Sequence, residues 1–243
     1  MRVLVISDVH ANYTAFEAVL KDAGDFEAVW CLGDIVGYGP DPNICVEVLS
    51  EQPNLFCVPG NHDIAAMGRM PSEAFNGDAR LSLLWQQRVL SASSMDFLHT
   101  LPQVVEPDKK VTLVHGSPRD PIWEYMINTL TARLNFLEFK TDFCFVGHTH
   151  VPSIFWWVVE ENNVVLDIPR DGVPVELSGR VILNPGSVGQ PRDRDPRAAY
   201  AIFDTKAFSW TSYRVEYDIK SVQERIREAR LPEKHALRLA EGW

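Results

Sequence analysis

The first hydrophobic run, Arg2 to Ile6 (RVLVI), is short, unbroken and rich in β-branched residues, which predicts a strand buried on both faces. Ala11 to Ala23 follows with Phe16, Val19, Leu20 and Ala23 at helical spacing, and Gly24 ends it. Glu27 to Leu32 predicts a second strand. Asp41-Pro42 opens a second helix carrying Ile44, Val48 and Leu49, because proline is well tolerated in a first helical turn. Leu55 to Val58 predicts a third strand. Strands alternating with helices argue for an α/β fold built on a parallel or mixed sheet with helices on its faces.

Ser72 to Thr100 reads as helical and locally polar, part of a helical segment over about 66–100 placed beside the sheet. Val111 to His115 predicts a strand, Thr129 to Phe139 a helix and Phe143 to Val146 a strand. From Ser153 onward the pattern changes. Ile154 to Val159, Val164 to Ile168, Val173 to Leu177, Val181 to Leu183, Ala198 to Phe203 and Trp210 to Glu216 all read as strands. Turns such as Glu161-Asn162-Asn163 and Asp171-Gly172 separate them, so this half is expected to be largely antiparallel. Asp218 to Arg230 predicts a charged amphipathic helix and Pro232 to Gly242 a shorter one, a helical tail over about 218–242. No internal repeat or low-complexity linker divides the chain, so a single domain over residues 1–243 is expected.

Composition narrows the class. At 46% hydrophobic and 23% charged residues, disordered and fibrous classes are excluded. A net charge of -10 opposes broad binding to duplex nucleic acid, and no local basic patch offsets it. Bound divalent cations would offset part of that charge. Cys31, Cys45, Cys57 and Cys144 form no C-x-x-C pair, and three of them lie in apolar strand-like runs, which reads as buried reduced thiols. Met1 to Ile6 reads as a strand and not as a signal peptide, and the strongest apolar stretch, Ser153 to Val159, is too short to span a bilayer. A cytoplasmic protein with no membrane partner is expected.

The candidate chemistry sits at strand ends. The first strand runs into Asp8-Val9-His10, the second into Gly33-Asp34, the third into Gly60-Asn61-His62-Asp63. Later strands run into His115-Gly116 and Gly147-His148-Thr149-His150. Ligands of open α/β sheets bind at the carboxyl ends of strands, so these groups are expected to converge on one edge of one sheet. Residues two apart in extended chain point the same way, which pairs Asp8 with His10 and His148 with His150. Asp34 has two oxygens with which to bridge two ions, and Asn61 adds a neutral oxygen. Mixed imidazole, carboxylate and amide donors suit Mn, Fe, Zn or Co better than Ca.

In this order the blocks resemble the calcineurin-like metallophosphoesterases. The match runs from residue 8 to residue 150. Gly33-Asp34-Ile35-Val36-Gly37-Tyr38-Gly39-Pro40 and Asn184-Pro185-Gly186-Ser187-Val188-Gly189 extend it toward the compact bacterial branch of that family. The resemblance implies a four-layer α/β/β/α sandwich of two mixed sheets. It implies two divalent ions, manganese first, with Fe, Zn, Ni, Co or Mg as alternatives. Asp8, His10, Asp34 and His150 would hold one ion, and Asp34, Asn61, His115 and His148 the other. It further implies hydrolysis of phosphodiesters or phosphomonoesters by a hydroxide bridging the ions, with His62 as the catalytic acid. Paired metals roughly 3.5–4 Å apart suit that chemistry because they clamp both the attacking and the leaving oxygen.

One departure matters. Calcineurin-type protein phosphatases carry Asp-Arg shortly after the Gly-Asp block, where this chain has Gly37-Tyr38. Asp63 is then the candidate to orient His62, and Arg192 the candidate to grip phosphate, with Tyr38 beside it in the substrate site. The expected substrate is a small-molecule phosphate ester, nucleotides included, with nucleic acid not expected. A dinucleoside polyphosphate hydrolase, a protein phosphatase and a metal-binding scaffold of the same fold are the alternatives. Trp123 and Tyr125 are either packing residues or a stacking surface for a nucleobase or aryl group. Trp156 and Trp157 are expected to pack on opposite faces of a strand, and His99 and His235 are given no role. Arg192, Arg194 and Arg197 alternate with Asp193 and Asp195, which reads equally as phosphate-binding or as a self-paired loop. The apolar strands of the second half leave room for an oligomer.

Overall fold

Period-two alternation in β1 (Arg2–Ile6) turns Val3 and Val5 toward one face and Leu4 and Ile6 toward the other, and both faces are covered. The computed structural model describes residues 1–243. β1 lies inside a six-stranded sheet of order β3-β2-β1-β10-β11-β8. Its members are β2 (Ala28–Cys31), β3 (Phe56–Cys57), β8 (Pro174–Glu176), β10 (Ala198–Asp204) and β11 (Ser209–Val215). β1, β2 and β3 pair in parallel, whereas β10 pairs antiparallel with both β1 and β11, as does β8 with β11. Pro174, which has no backbone donor, sits in β8 at the sheet edge.

The second sheet has five strands in the order β4-β5-β9-β6-β7. β4 (Val111–Leu113), β5 (Phe143–Phe145) and β9 (Val181–Asn184) run parallel. β6 (Ser153–Val158) pairs antiparallel with β9 and with β7 (Asn163–Asp167). Both sheets are therefore mixed. Their facing sides close on one apolar layer, in which Phe145 meets Trp30, Phe203 and Trp210 at ring-centroid distances of 5.8, 5.2 and 4.9 Å. Truncating such a ring to alanine costs about 3–5 kcal/mol.

Helices cover the outer faces. α1 (Tyr13–Asp22) and α2 (Pro42–Ser50) bury Phe16, Val19, Cys45 and Leu49 against Leu4, Ile6, Val29 and Cys31. Asn12 starts α1 by accepting from the Ala15 amide at 3.1 Å. α6 (Thr129–Asn135) covers the second sheet through Ala132, with Phe136 just beyond its end, against Cys144, Val146 and Phe155. The result is the four-layer α/β/β/α sandwich. Trp156 packs toward the inter-sheet layer and Trp157 toward the α6 layer, on opposite faces as expected.

The helical segment beside the sheet resolves into one 3-10 turn (Ser72–Ala74), α4 (Gly77–Val89) and α5 (Ala92–Thr100). The tail forms α7 (Ile219–Glu228) and α8 (Glu233–Glu241), which pack on each other and on Trp85 of α4. One element differs from expectation. No element was expected directly after β3, but Asn61–Ala66 forms a short helix, α3. Asp63 caps it by accepting from the Gly60 amide at 2.9 Å, which starts the helix at the strand end. All four cysteines are free and buried.

Candidate metal centre

The strand ends converge, but from two sheets. Asp8, Asp34 and Asn61 follow β1, β2 and β3 of the first sheet, and His115, His148 and His150 follow β4 and β5 of the second. The expected convergence on one edge of one sheet is thus replaced by a site where the carboxyl ends of two stacked sheets meet.

Of the two expected pairs, Asp8 and His10 do share one donor group, whereas His148 and His150 do not. The backbone is not extended there: Asp8, His10, Asp34, His148 and His150 have φ of 54°, 50°, 53°, 64° and 63°. Left-handed conformations cost a non-glycine residue roughly 1–2 kcal/mol each. They persist because the loops lock one another through backbone hydrogen bonds. Asp8 N–H donates to Gly33 O at 2.9 Å, His10 N–H to Asp34 O at 2.8 Å and Gly189 N–H to Asp8 O at 2.9 Å. Gly60 is required at this crossing, since a Cβ there would lie 2.0 Å from Asp34 Oδ1. The twist sends His148 and His150 to different ends of the cluster.

Two groups of donor atoms result. Asp8, His10, Asp34 and His150 form one, and Asp34, His115 and His148 the other, the atoms of each lying within 4.8 Å of one another. Asp34 belongs to both: its Oδ2 is 3.6 Å from His10 Nε2 and 3.5 Å from His115 Nε2. Asn61 Oδ1 joins the second group, 3.2 Å from His115 Nε2. Every one of these residues is buried.

Protonation shows what the cluster lacks. His10 Nδ1 donates to Val36 O at 3.1 Å, His150 Nδ1 to Gln190 O at 2.5 Å and His115 Nδ1 to Leu32 O at 2.7 Å. In a neutral imidazole the other nitrogen is then a bare acceptor. Yet His10 Nε2 and His150 Nε2 face each other at 3.1 Å. His115 Nε2 faces both the acceptor Asn61 Oδ1 and, at 3.1 Å, His148 Nδ1, and Asp8 Oδ1 lies 3.2 Å from His150 Nε2. Asp8 Oδ1 and His148 Nε2 are buried with no hydrogen-bond partner. Lone pairs converging without a proton between them are satisfied by cations, and imidazoles anchored through their second nitrogen are the usual support of metal ligands. The residues present fit divalent metal.

The titration directions agree. Burial pushes Asp8 from 3.8 up to about 7, and burial followed by the neighbouring Asp63 charge pushes Asp34 well above its ordinary value. Burial drives His148 down to about 2 and holds His10 and His150 well below the usual imidazole range. The histidines are thus neutral donors, and the carboxylates wait for a positive charge.

The remaining candidates surround a cavity of about 110 Å³ next to this cluster. His62 lines it, with Tyr38 at a ring distance of 4.4 Å and Phe75 at 4.9 Å. Arg192 also lines it, donating to Tyr38 Oη at 3.3 Å and Gln190 Oε1 at 3.1 Å. Asp63 does not orient His62. Its carboxylate accepts from the Gly60, Ile35 and Val36 amides at 2.9, 3.2 and 3.0 Å, and His62 Nδ1 has no hydrogen-bond partner. A side chain that caps its own helix points back at the loop and away from its neighbour's ring. Tyr125 stacks on His148 at 3.9 Å, and Trp123 meets Phe75 at 5.4 Å across the cavity mouth. Within that loop only Arg197 pairs with Asp195; Arg197 also reaches Asp171, Asp193 pairs with Arg214 of β11, and Arg194 lies over the Trp243 ring, so the self-paired reading holds in part. His99 is exposed, whereas His235 is buried against Tyr38 at a ring distance of 4.9 Å. Phe75, Gln86 and His235 belong to the surroundings of the site without having carried any motif. The one signal available for Gln86 was a polar residue on the inward side of a helix.

The domain model of the calcineurin-like phosphoesterase superfamily matches residues 1–207. The chain belongs to that superfamily. Among its relatives, an uncharacterized protein of Methanocaldococcus jannaschii is 40% identical over 238 residues, 95% of this chain and 94% of that one. The crystal structure of a metallophosphoesterase from Sphaerobacter thermophilus has a TM-score of 0.91 at 50% identity, covering 100% of this chain and 99% of that one. A hypothetical protein from Pyrococcus horikoshii OT3 shares the fold, with a TM-score of 0.81 at 22% identity over 100% of this chain and 98% of that one. This calcineurin-like phosphoesterase thus carries the superfamily's sandwich and an Asp/His cluster suited to divalent metal. Its α7 and α8 lie beyond the matched region. None of its helices is long and apolar enough to cross a membrane.

Proposed function

We propose that the protein hydrolyses small-molecule phosphate esters, nucleotides included, at a centre of two divalent ions, with manganese the favoured metal. The observation that carries this reading is the set of facing lone pairs, His10 Nε2 against His150 Nε2 and His115 Nε2 against Asn61 Oδ1, with Asp34 Oδ2 between the two groups. Asp8, His10, Asp34 and His150 hold one ion, and Asp34, Asn61, His115 and His148 the other. Bound ions supply Lewis acidity, which eases deprotonation of water and offsets charge on the phosphoryl oxygens.

The chain's own residues supply position and a proton. Arg192 faces the cavity with its guanidinium on Tyr38 and no carboxylate partner, which leaves it for an incoming phosphate. His62 stands on the same cavity wall and donates a proton to the departing oxygen. Burial, then the Arg192 charge, lowers its affinity for that proton, and a bound phosphate dianion restores it. A cavity of about 110 Å³ takes a phosphoryl group and leaves the organic part at the Phe75 and Trp123 rim.

The test is hydrolysis of p-nitrophenyl phosphate and bis-p-nitrophenyl phosphate by metal-stripped protein, with Mn²⁺ then added back. Turnover restored by metal and lost in Asp34→Asn is expected. Failure of every divalent ion to restore turnover, with two ions bound per chain, would move the protein to the scaffold reading.

A further inference from the structure

His62 lacks a hydrogen-bonded partner for Nδ1, so packing alone must hold the ring. We propose that Gln86 of α4 and His235 of α8 are positioning residues for His62, acting through Tyr38. The proposal rests on the reading of His62 as proton donor.

Tyr38 is the ring that His62 leans on, and it also lies 4.6 Å from His10 and carries the Arg192 guanidinium on its hydroxyl. It sits in a conformation that tyrosine does not favour, with φ of 52°. Gln86 holds it there. The fully buried Gln86 amide brackets the residue from both sides, accepting from the Gly37 amide at 2.5 Å and donating to Gly39 O at 3.0 Å. Those bonds press Gly37 so close to the imidazoles that a Cβ there would lie 2.5 Å from His62 Nδ1 and 2.9 Å from His10 Nδ1. A hydrophobic side chain at position 86 would leave a buried amide and a buried carbonyl unpaired, and the loop would relax.

His235 backs the same ring from behind. Its ring meets Tyr38 edge-on, and its Nε2 donates to Asp78 O in the first turn of α4 at 3.1 Å. The helix that supplies Gln86 therefore also anchors His235. The tail beyond residue 207, outside the matched superfamily domain, thereby takes part in the site. Together the hydrogen-bonded Gln86 bracket and the His235 ring contact hold Tyr38 against His62, in place of a carboxylate bonded to the His62 ring.

The experiment compares Gln86→Met, Gln86→Glu, His235→Ala, His235→Phe and His62→Ala in the metal-loaded enzyme. Gln86→Glu keeps the acceptor for Gly37, and His235→Phe keeps the ring behind Tyr38. Turnover is measured with p-nitrophenyl phosphate and with an alkyl phosphate, alongside metal content and thermal midpoint. Displacing a proton donor is expected to cost about 10- to 100-fold in kcat for the alkyl ester and distinctly less for the nitrophenyl ester in Gln86→Met and His235→Ala. Gln86→Glu and His235→Phe should recover part of the loss, with two metals bound throughout. In ¹⁵N-histidine-labelled metal-free protein, the His62 ring resonances should shift in Gln86→Met and His235→Ala. Equal loss on both esters in these variants, while His62→Ala stays selective for the alkyl ester, overturns the positioning role. Equal loss in His62→Ala itself overturns the proton-donor reading instead, and unmoved His62 resonances then refute the positioning of the ring as well.

Discussion

Asp8→Asn should make the metal-free protein more stable while destroying a metal ligand. In the wild-type chain Asp8 Oδ2 accepts from the His148 amide at 3.1 Å, but Oδ1 is buried without a partner, 3.2 Å from the lone pair of His150 Nε2. Asparagine keeps the first bond through its oxygen and places an N–H donor where two acceptors now oppose each other. The size of the effect follows from titration. Asp8 rises from 3.8 to about 7, which at 1.36 kcal/mol per unit is about 4 kcal/mol for holding the carboxylate ionised. The sign is that of a raised pKa. The folded state binds the proton more tightly than the unfolded chain, so stability is full below 3.8, is lost as pH rises toward about 7, and stays lost above it. Allowing for water entering the empty cluster, the variant should gain about 2–4 kcal/mol at pH 8, roughly 5–15 °C in thermal midpoint. At pH 4 the difference should nearly vanish. Thermal melts in chelator at both pH values test this, and adding Mn²⁺ should reverse the order by stabilising the wild type alone. An asparagine variant that melts at or below the wild type in chelator at pH 8 refutes the claim that the carboxylate is held against its preference for a cation.

His62→Ala should lower kcat by about 10²–10⁴-fold for alkyl esters and much less for nitrophenyl esters, read from a plot of rate against leaving-group pKa. Metal binding at pH 6 should release protons from Asp8 and Asp34, both raised by burial, with the Asp8 share shrinking by pH 8 and apparent affinity falling as pH drops below about 7; calorimetry in buffers of different ionisation enthalpy measures both. Gly189→Ala should destabilise by more than about 3 kcal/mol in urea titrations, because its Cβ would lie 1.8 Å from Val9 O and break the bond from Gly189 to Asp8 O.

Much of this was legible in the order of residues. The β-branched runs ending in Asp8, Asp34 and His115 announced both strands and ligands, because a buried strand must be apolar and its end is where polar chemistry meets the surface. What pattern could not supply was direction. A two-residue period assumes extended chain, and the ligands sit in left-handed turns set by contacts between Gly33, Gly60 and Gly189 loops far apart in sequence. Asp63 was misassigned for the same reason: adjacency to His62 suggested a partner, whereas a capping side chain in α3 reaches its own N-terminus. Gln86 and His235 reach the site only because α4 and α8 fold over the Gly37–Gly39 loop, and a lone buried amide or imidazole carries no local signature of its task.

The position of β1 inside the first sheet constrains how the molecule can be born. β1 pairs on one side with β2 and on the other with β10, and the carbonyls of Ser7 and Asp8 are claimed by Val188 and Gly189. A ribosome adding about 5–20 residues per second needs roughly 10–40 s to pass from Asp8 to the end of β10. Throughout that interval the nascent chain exposes an apolar β1 edge and carries Asp8 and His10 without the turn that aims them. The donor cluster therefore reaches its final geometry only after Gly189 has been made, and until then the unpartnered strand is the stretch most open to wrong pairing.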